Sequence, residues 1–221
     1  MNRVRVKICG IRKEEDILAS VEAGADYLGF VVDVPSSSRN LSIDAACDLM
    51  QKVPNSAERV VVTVHTSDQT EERLSVILRK LAPEAIQLHG TAPNVLSMLR
   101  RDFFKVRFIG ALPIQDESSV AKGVTISKSF DCVHADSYVD GQSGGTGRIH
   151  DWTLSARLRD LIEPIPLTLS GGLCEDNVAE AIRTVKPYAV DVSSGVESDL
   201  GVKDHDKVIR FVRRAKEVEL P

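Results

Sequence analysis

The chain has 221 residues, 43% of them hydrophobic and 27% charged, and a formal net charge of −4. A chain of that size buries a core without a metal or disulfide staple, and its acidic balance argues against a nucleic-acid partner. No apolar run approaches the ~18 residues of a membrane span, and the start lacks the apolar stretch of a secretory signal.

Short apolar runs alternate with helical patterns from one end to the other. The first strand is predicted over 4–9 and the first helix over 14–24, with Glu14, Glu15 and Asp16 at its positive end and Gly24 after it. A strand over 27–32 leads to a helix over 43–53, opened by Ser42 and Asp44 and stopped by Pro54. Further strands are predicted over 59–65, 85–89, 104–109, 132–136, 166–170 and 189–193. Helices follow them over 70–81, 93–102, 115–122, 152–162, 175–186 and 204–218, with Pro83 and Pro187 just past two of them. Eight β/α units of about 28 residues result, with no linker or composition shift, so residues 1–221 read as a single domain.

Alternation along the strands assigns each side chain to a face. Val4, Val6 and Ile8 oppose Arg5, Lys7 and Cys9; Ile86 and Leu88 oppose Gln87 and His89; Val133 and Ala135 oppose Cys132, His134 and Asp136. Leu167 and Leu169 oppose Thr168 and Ser170, and Val190 and Val192 oppose Asp191 and Ser193. An open sheet covered by helices on both sides wants two apolar faces. One polar face on most strands favours a closed (β/α)8 barrel, whose C-terminal rim is the expected active site.

Three glycine-rich tips follow the last three strands: Gly144-Gly145-Thr146-Gly147, Ser170-Gly171-Gly172 and Ser193-Ser194-Gly195. Each alone reads as a turn. Together they suit a phosphate held by backbone N–H groups near Gly145, Gly172, Ser194 and Gly195.

Cys9, Arg39, Gln87, His89 and Asp136 fall at predicted rim positions. Strands 1 and 6 flank strands 7 and 8, so Cys9 and Asp136 face each other across the phosphate site as a base–acid pair. Alone, Cys9 also reads as a small core hydrophobe and Asp136 as a turn residue. Arg39 is either an exposed loop cation or a two-point carboxylate clamp. His65, His89, His134 and Asp136 on one rim also offer a divalent-metal set. The four cysteines, Cys9, Cys47, Cys132 and Cys174, form no C-x-x-C pair, which fits isolated thiols in a reducing cytoplasm.

Several stretches then point to one family: Lys7-Ile8-Cys9-Gly10, Glu22-Ala23-Gly24-Ala25-Asp26, Gly29-Phe30-Val31, Gln87-Leu88-His89-Gly90, Asp136-Ser137, Asp151-Trp152, Ser170-Gly171-Gly172-Leu173 and Val190-Asp191-Val192-Ser193-Ser194-Gly195-Val196-Glu197. In this order and with the glycine tips, the chain resembles the phosphoribosylanthranilate isomerase family of tryptophan biosynthesis. The resemblance implies an Amadori rearrangement of a small phosphorylated substrate by a cytoplasmic monomer or homodimer, without metal or organic cofactor. It makes Cys9 the general base, Asp136 the general acid, Arg39 the partner of the anthranilate carboxylate and the glycine loops the phosphate site. Two departures stand out: Ser38 replaces the proline usual before Arg39, and His134 replaces a usual aliphatic residue. Rival readings are a metal-dependent sugar-phosphate epimerase-like barrel and a non-catalytic phosphate-ligand-binding barrel. A second isomerisation, on the histidine pathway, usually has aspartate where Cys9 stands.

Overall fold

The structure, a computed structural model, describes residues 3–65, 71–90, 93–137 and 149–220. Eight parallel strands close into a barrel in chain order: β1 (Arg5–Cys9), β2 (Tyr27–Val31), β3 (Glu58–Val64), β4 (Ala85–His89), β5 (Arg107–Ile114), β6 (Cys132–Ser137), β7 (Leu167–Leu169) and β8 (Ala189–Val192). Among the described residues eight helices alternate with them: α1 (Glu14–Glu22), α2 (Ile43–Met50), α3 (Glu71–Leu81), α4 (Pro93–Asp102), α5 (Glu117–Ser127), α6 (Trp152–Ile162), α7 (Val178–Val185) and α8 (His205–Lys216). After β8 come a single 3₁₀ turn, Ser194–Val196, and a short antiparallel hairpin of β9 (Glu197–Asp199) and β10 (Val202–Lys203).

Local chemistry explains four of the helix starts. The side chains of Ser42, Asp116, Asp151 and Asp204 accept hydrogen bonds from the N–H groups of Ala45, Ser119, Thr153 and Lys207, satisfying donors a helix leaves open. On α8, Val208, Phe211, Val212 and Ala215 recur at helical spacing and are all buried, while Arg213, Arg214 and Lys216 crowd its negative end.

The main core lies between sheet and helices. Ile8, Leu28, Phe30, Ile86, Leu88, Phe108, Val133 and Val190 are all on outward strand positions and fully buried there. Each such side chain contributes about 1.5–3 kcal/mol of burial. A second, smaller cluster fills the barrel itself: Tyr27, Val31, Val60, Val62, Ala85 and Ala189, with Cys9 at its upper edge. Arg5 closes the lower end, its guanidinium 5.9 Å from the Tyr27 ring centre and 5.2 Å from that of Tyr188.

The fifth unit departs from the sequence expectation. β5 starts three residues later and runs to Ile114, and α5 runs on to Ser127 rather than stopping at 122. Gly123 is not a stop: a Cβ there would lie 2.6 Å from Leu158 Cδ1, so the glycine lets α6 approach. α7 is shorter than 175–186, because Asn177 folds the preceding residues into a loop. The β9–β10 hairpin has no counterpart in the predicted elements.

Candidate active site

A cavity of about 460 Å³ opens at the C-terminal end of the barrel. Cys9, Arg39, Gln87, His89, Asp136, Gly172 and Ser194 all line it, as do Ser170 and Ser193. Strand parity thus brings these positions to one end. Gly195 sits behind the lining, its α-carbon so close to Leu173 that a Cβ would lie 1.9 Å from the carbonyl oxygen. Gly145 and the rest of its cluster lie outside the described residues.

Cys9 is the last residue of β1 and pairs in register with Gly29 of β2. That glycine makes room for the reactive-end side chains: a Cβ would stand 2.8 Å from Cys9 Sγ and 3.1 Å from Lys7 Cε. Burial raises the thiol pKa; Lys7 and Lys203 work against it and Asp191 with it, leaving a net upward shift. A substrate that brings positive charge next to the sulfur would therefore favour the thiolate.

One layer below lies a buried polar floor. Lys7 Nζ donates to Asp191 Oδ2 at 2.8 Å and to Gln87 Oε1 at 3.0 Å. His134 Nε2 lies 2.8 Å from the same Asp191 oxygen. Burial alone would raise Asp191, but Lys7 and His134 outweigh it and hold the carboxyl at about 2. Gln87 spends its oxygen on Lys7, so its amide nitrogen donates to His89 Nε2 at 3.1 Å. Burial, with His134 and Lys7 nearby, pushes His89 down to about 3, so the ring is neutral and can accept that bond.

Arg39 departs from an exposed loop cation. Its Nε and Nη2 donate to the two oxygens of Glu197, each at 2.7 Å, and both side chains are buried. Glu197 also accepts from Lys203 Nζ at 3.0 Å and from the Gly201 N–H at 3.1 Å. The hairpin β9–β10 therefore fixes the arginine and leaves Nη1 without a partner among the described residues. Lys203 donates further to the Ser193 carbonyl at 3.0 Å, and Ser193 Oγ donates to the Cys9 carbonyl at 3.1 Å. Glu197 and Lys203 were missed as site residues: Glu197 closes the Val190–Glu197 motif, but strands of two or three residues show no periodicity that would aim either side chain at the site.

The loop after β7 is shaped for close backbone approach. Gly171 has φ +87°, and a Cβ on it would lie 2.3 Å from the Ser137 nitrogen; Gly172 has φ +65°. Asn177 ties this loop down, accepting from the Cys174 N–H and donating to the Gly172 carbonyl, both at 2.9 Å. Ser194, which opens the 3₁₀ turn, lines the same cavity, and no side chain caps the turn. Of the metal reading, no three His, Cys, Asp or Glu side chains among the described residues converge as a ligand set.

Comparison with known proteins fits this arrangement. The family model for N-(5'-phosphoribosyl)anthranilate isomerase matches residues 6–214. The N-(5'-phosphoribosyl)anthranilate isomerase of Methanothrix thermoacetophila is 41% identical over 213 residues, 96% of this chain and 98% of that protein. The crystal structure of phosphoribosyl anthranilate isomerase from Thermotoga maritima superimposes with a TM-score of 0.84 at 37% identity, covering 97% of this chain and 100% of that one. A phosphoribosyl anthranilate isomerase in complex with reduced 1-(o-carboxyphenylamino)-1-deoxyribulose 5-phosphate superimposes with a TM-score of 0.82 at 33% identity, over the same shares. With the barrel, the rim thiol and carboxyl and the loops at Gly172 and Ser194 in place, the chain belongs to the N-(5'-phosphoribosyl)anthranilate isomerase family.

Proposed function

We propose that this chain catalyses the Amadori rearrangement of N-(5'-phosphoribosyl)anthranilate to 1-(2-carboxyphenylamino)-1-deoxyribulose 5-phosphate, with Asp136 as general acid and Cys9 as general base. The observation that carries the reading is that both residues line one cavity, whose wall also holds the loops at Gly172 and Ser194. Asp136 gives a proton to the furanose ring oxygen as its bond to C1' breaks, and the anthranilate nitrogen lone pair forms the C1'=N iminium. The Cys9 thiolate then takes the proton from C2', and the C–H electrons form the C1'=C2' bond while the nitrogen becomes neutral. The resulting enolamine tautomerises: C1' gains a proton, the C2' hydroxyl loses one, and the ketone remains. C1' is reduced as C2' is oxidised, so no external redox partner enters.

The remaining groups act by position and charge. The iminium brings positive charge beside Cys9 as the thiolate is needed, and Lys7 adds to it. Arg39, held by Glu197, offers Nη1 to the anthranilate carboxylate. Backbone N–H groups at Gly145, Gly172, Ser194 and Gly195 take the phosphate, and Gln87 and His89 face the sugar from below. The enzyme works in the cytoplasm as a monomer or homodimer.

The test is loss of the fluorescence of N-(5'-phosphoribosyl)anthranilate on adding purified protein, with and without a chelator. Consumption at equal rates in both supports the reading. No consumption overturns it, and consumption abolished by the chelator favours the metal-dependent rival.

A further inference from the structure

Lys7, His134 and Asp191 meet below Cys9 around one oxygen. Asp191 Oδ2 lies 2.8 Å from Lys7 Nζ and 2.8 Å from His134 Nε2. Its other oxygen has no partner among the described residues, and the side chain is buried. The carboxylate charge is therefore met at Oδ2, by two donors. Asp191, held at about 2, is ionised and only accepts, so the proton of its bond with His134 lies on Nε2. His134 is buried as well, and the proton transfers assigned to Cys9 and Asp136 give it no part.

The second donor matters because the first has another duty. An ammonium carries three N–H bonds. Lys7 spends two of them, on Asp191 Oδ2 and on Gln87 Oε1. The third can serve Cys9, whose sulfur interacts with this ammonium. Both side chains pack against Gly29, where a Cβ would stand 2.8 Å from the sulfur and 3.1 Å from Lys7 Cε. Lys7 favours the Cys9 thiolate and Asp191 opposes it. The other charges near the thiol come from different elements. Lys203 of β10 and Arg39 of the loop after β2 are positive. Asp136 of β6 shares the cavity, and His89 of β4 is neutral. His134 is the donor that answers Asp191 without drawing on Lys7.

Resting on the proposed function, we infer that His134 is a positioning residue for the general base: by donating to Asp191 it offsets part of the carboxylate charge and leaves the Lys7 ammonium available to the Cys9 sulfur. Without that donor, Lys7 is drawn more fully to Asp191, and more of the negative charge is felt at the thiol. Both effects disfavour the thiolate, so they add. His134 thus acts two contacts away from the reacting atoms, through Asp191 and Lys7.

The test is the pH dependence of Cys9 alkylation by iodoacetamide, read on the Cys9 peptide by mass spectrometry. Wild type is compared with His134→Leu, His134→Met and His134→Gln. Leucine and methionine fill the space but cannot donate, and either one suffices if the other fails to fold. In both, the alkylation midpoint is expected to rise by about half a pH unit or more, about threefold in the thiolate equilibrium. Glutamine keeps a donor, so His134→Gln should recover at least about half of that shift. The acidic limb of kcat/KM for phosphoribosylanthranilate should move in the same direction. A mere packing defect would lower stability in all three variants and leave the midpoint in place. A midpoint that is unmoved or lowered in the leucine and methionine variants, or raised equally in all three, overturns the inference while wild-type turnover keeps the proposed function intact. A wild type that consumes no phosphoribosylanthranilate overturns the proposed function.

Discussion

Arg39 and Glu197, 158 residues apart in the chain, meet in a two-point fork with both bonds at 2.7 Å. One residue comes from the loop after β2 and the other from the hairpin after β8, so the fork bridges the barrel mouth. Removing Glu197 leaves Arg39 and Lys203 buried without their shared counter-charge. Glu197→Ala should therefore cost about 3–5 kcal/mol, measured by urea denaturation, and Glu197→Gln less. Stability unchanged in Glu197→Ala would show that the fork contributes nothing to the fold.

The same fork sets the expectation for Arg39 itself. Arg39→Lys keeps the charge but cannot fork onto Glu197 while presenting a second edge. A loss of about tenfold or more in kcat/KM is expected, against little change for Arg213→Lys, whose exposed side chain lies 3.8 Å from Glu217. Equal kinetics for the two variants would return Arg39 to a purely structural role.

Gly29 offers a test of how tightly Cys9 is placed. A methyl group there would stand 2.8 Å from the sulfur, so the thiol must move. Displacement of about 1 Å at a reacting atom typically costs on the order of a hundredfold in rate. Gly29→Ala should lower kcat at least tenfold and alter the rate at which iodoacetamide alkylates Cys9. Normal kcat and normal alkylation would mean that the strand yields without disturbing the thiol.

The buried floor gives stability a pH dependence in two windows. His89 is lowered to about 3 from an unfolded value near 6.5, so the unfolded chain binds the extra proton first. Its contribution is full above pH 6.5 and is lost as pH falls toward 3. Asp191 is lowered from near 3.8 to about 2, so its contribution is full above pH 4 and is lost as pH falls through 2. Denaturation midpoints for His89→Gln should flatten between pH 6.5 and 4 relative to wild type. A slope identical to wild type there would contradict the buried neutral ring.

The legible part of this molecule was whatever repeats along a strand or concentrates in a motif. Alternation placed Cys9, Gln87, His134, Asp136 and Asp191 inside the barrel, because a strand's two faces meet different surroundings whatever its neighbours are. The motif resemblance added roles that alternation cannot supply. The illegible part depended on contacts between distant segments. Nothing local to Arg39 announces Glu197, and Gly123 and Gly110 look like breaks until Leu158 and Phe130 are seen packed where a Cβ would go. The polar floor was half legible: the inward parity of Lys7, His134 and Asp191 was readable, but not that Lys7 and His134 share one oxygen of Asp191.

The central claim is that Cys9 and Asp136 carry the proton transfers, and a general acid–base group typically contributes about 10²–10⁴-fold. The most direct measurement is kcat for phosphoribosylanthranilate in Cys9→Ala, beside Cys47→Ala and Cys174→Ala as thiols away from the proposed chemistry, with Asp136→Ala in parallel. At least about a hundredfold loss is expected in Cys9→Ala and in Asp136→Ala, with both still binding the reduced product analogue and with the other two cysteine variants near wild type. Near-normal turnover in Cys9→Ala would contradict the claim.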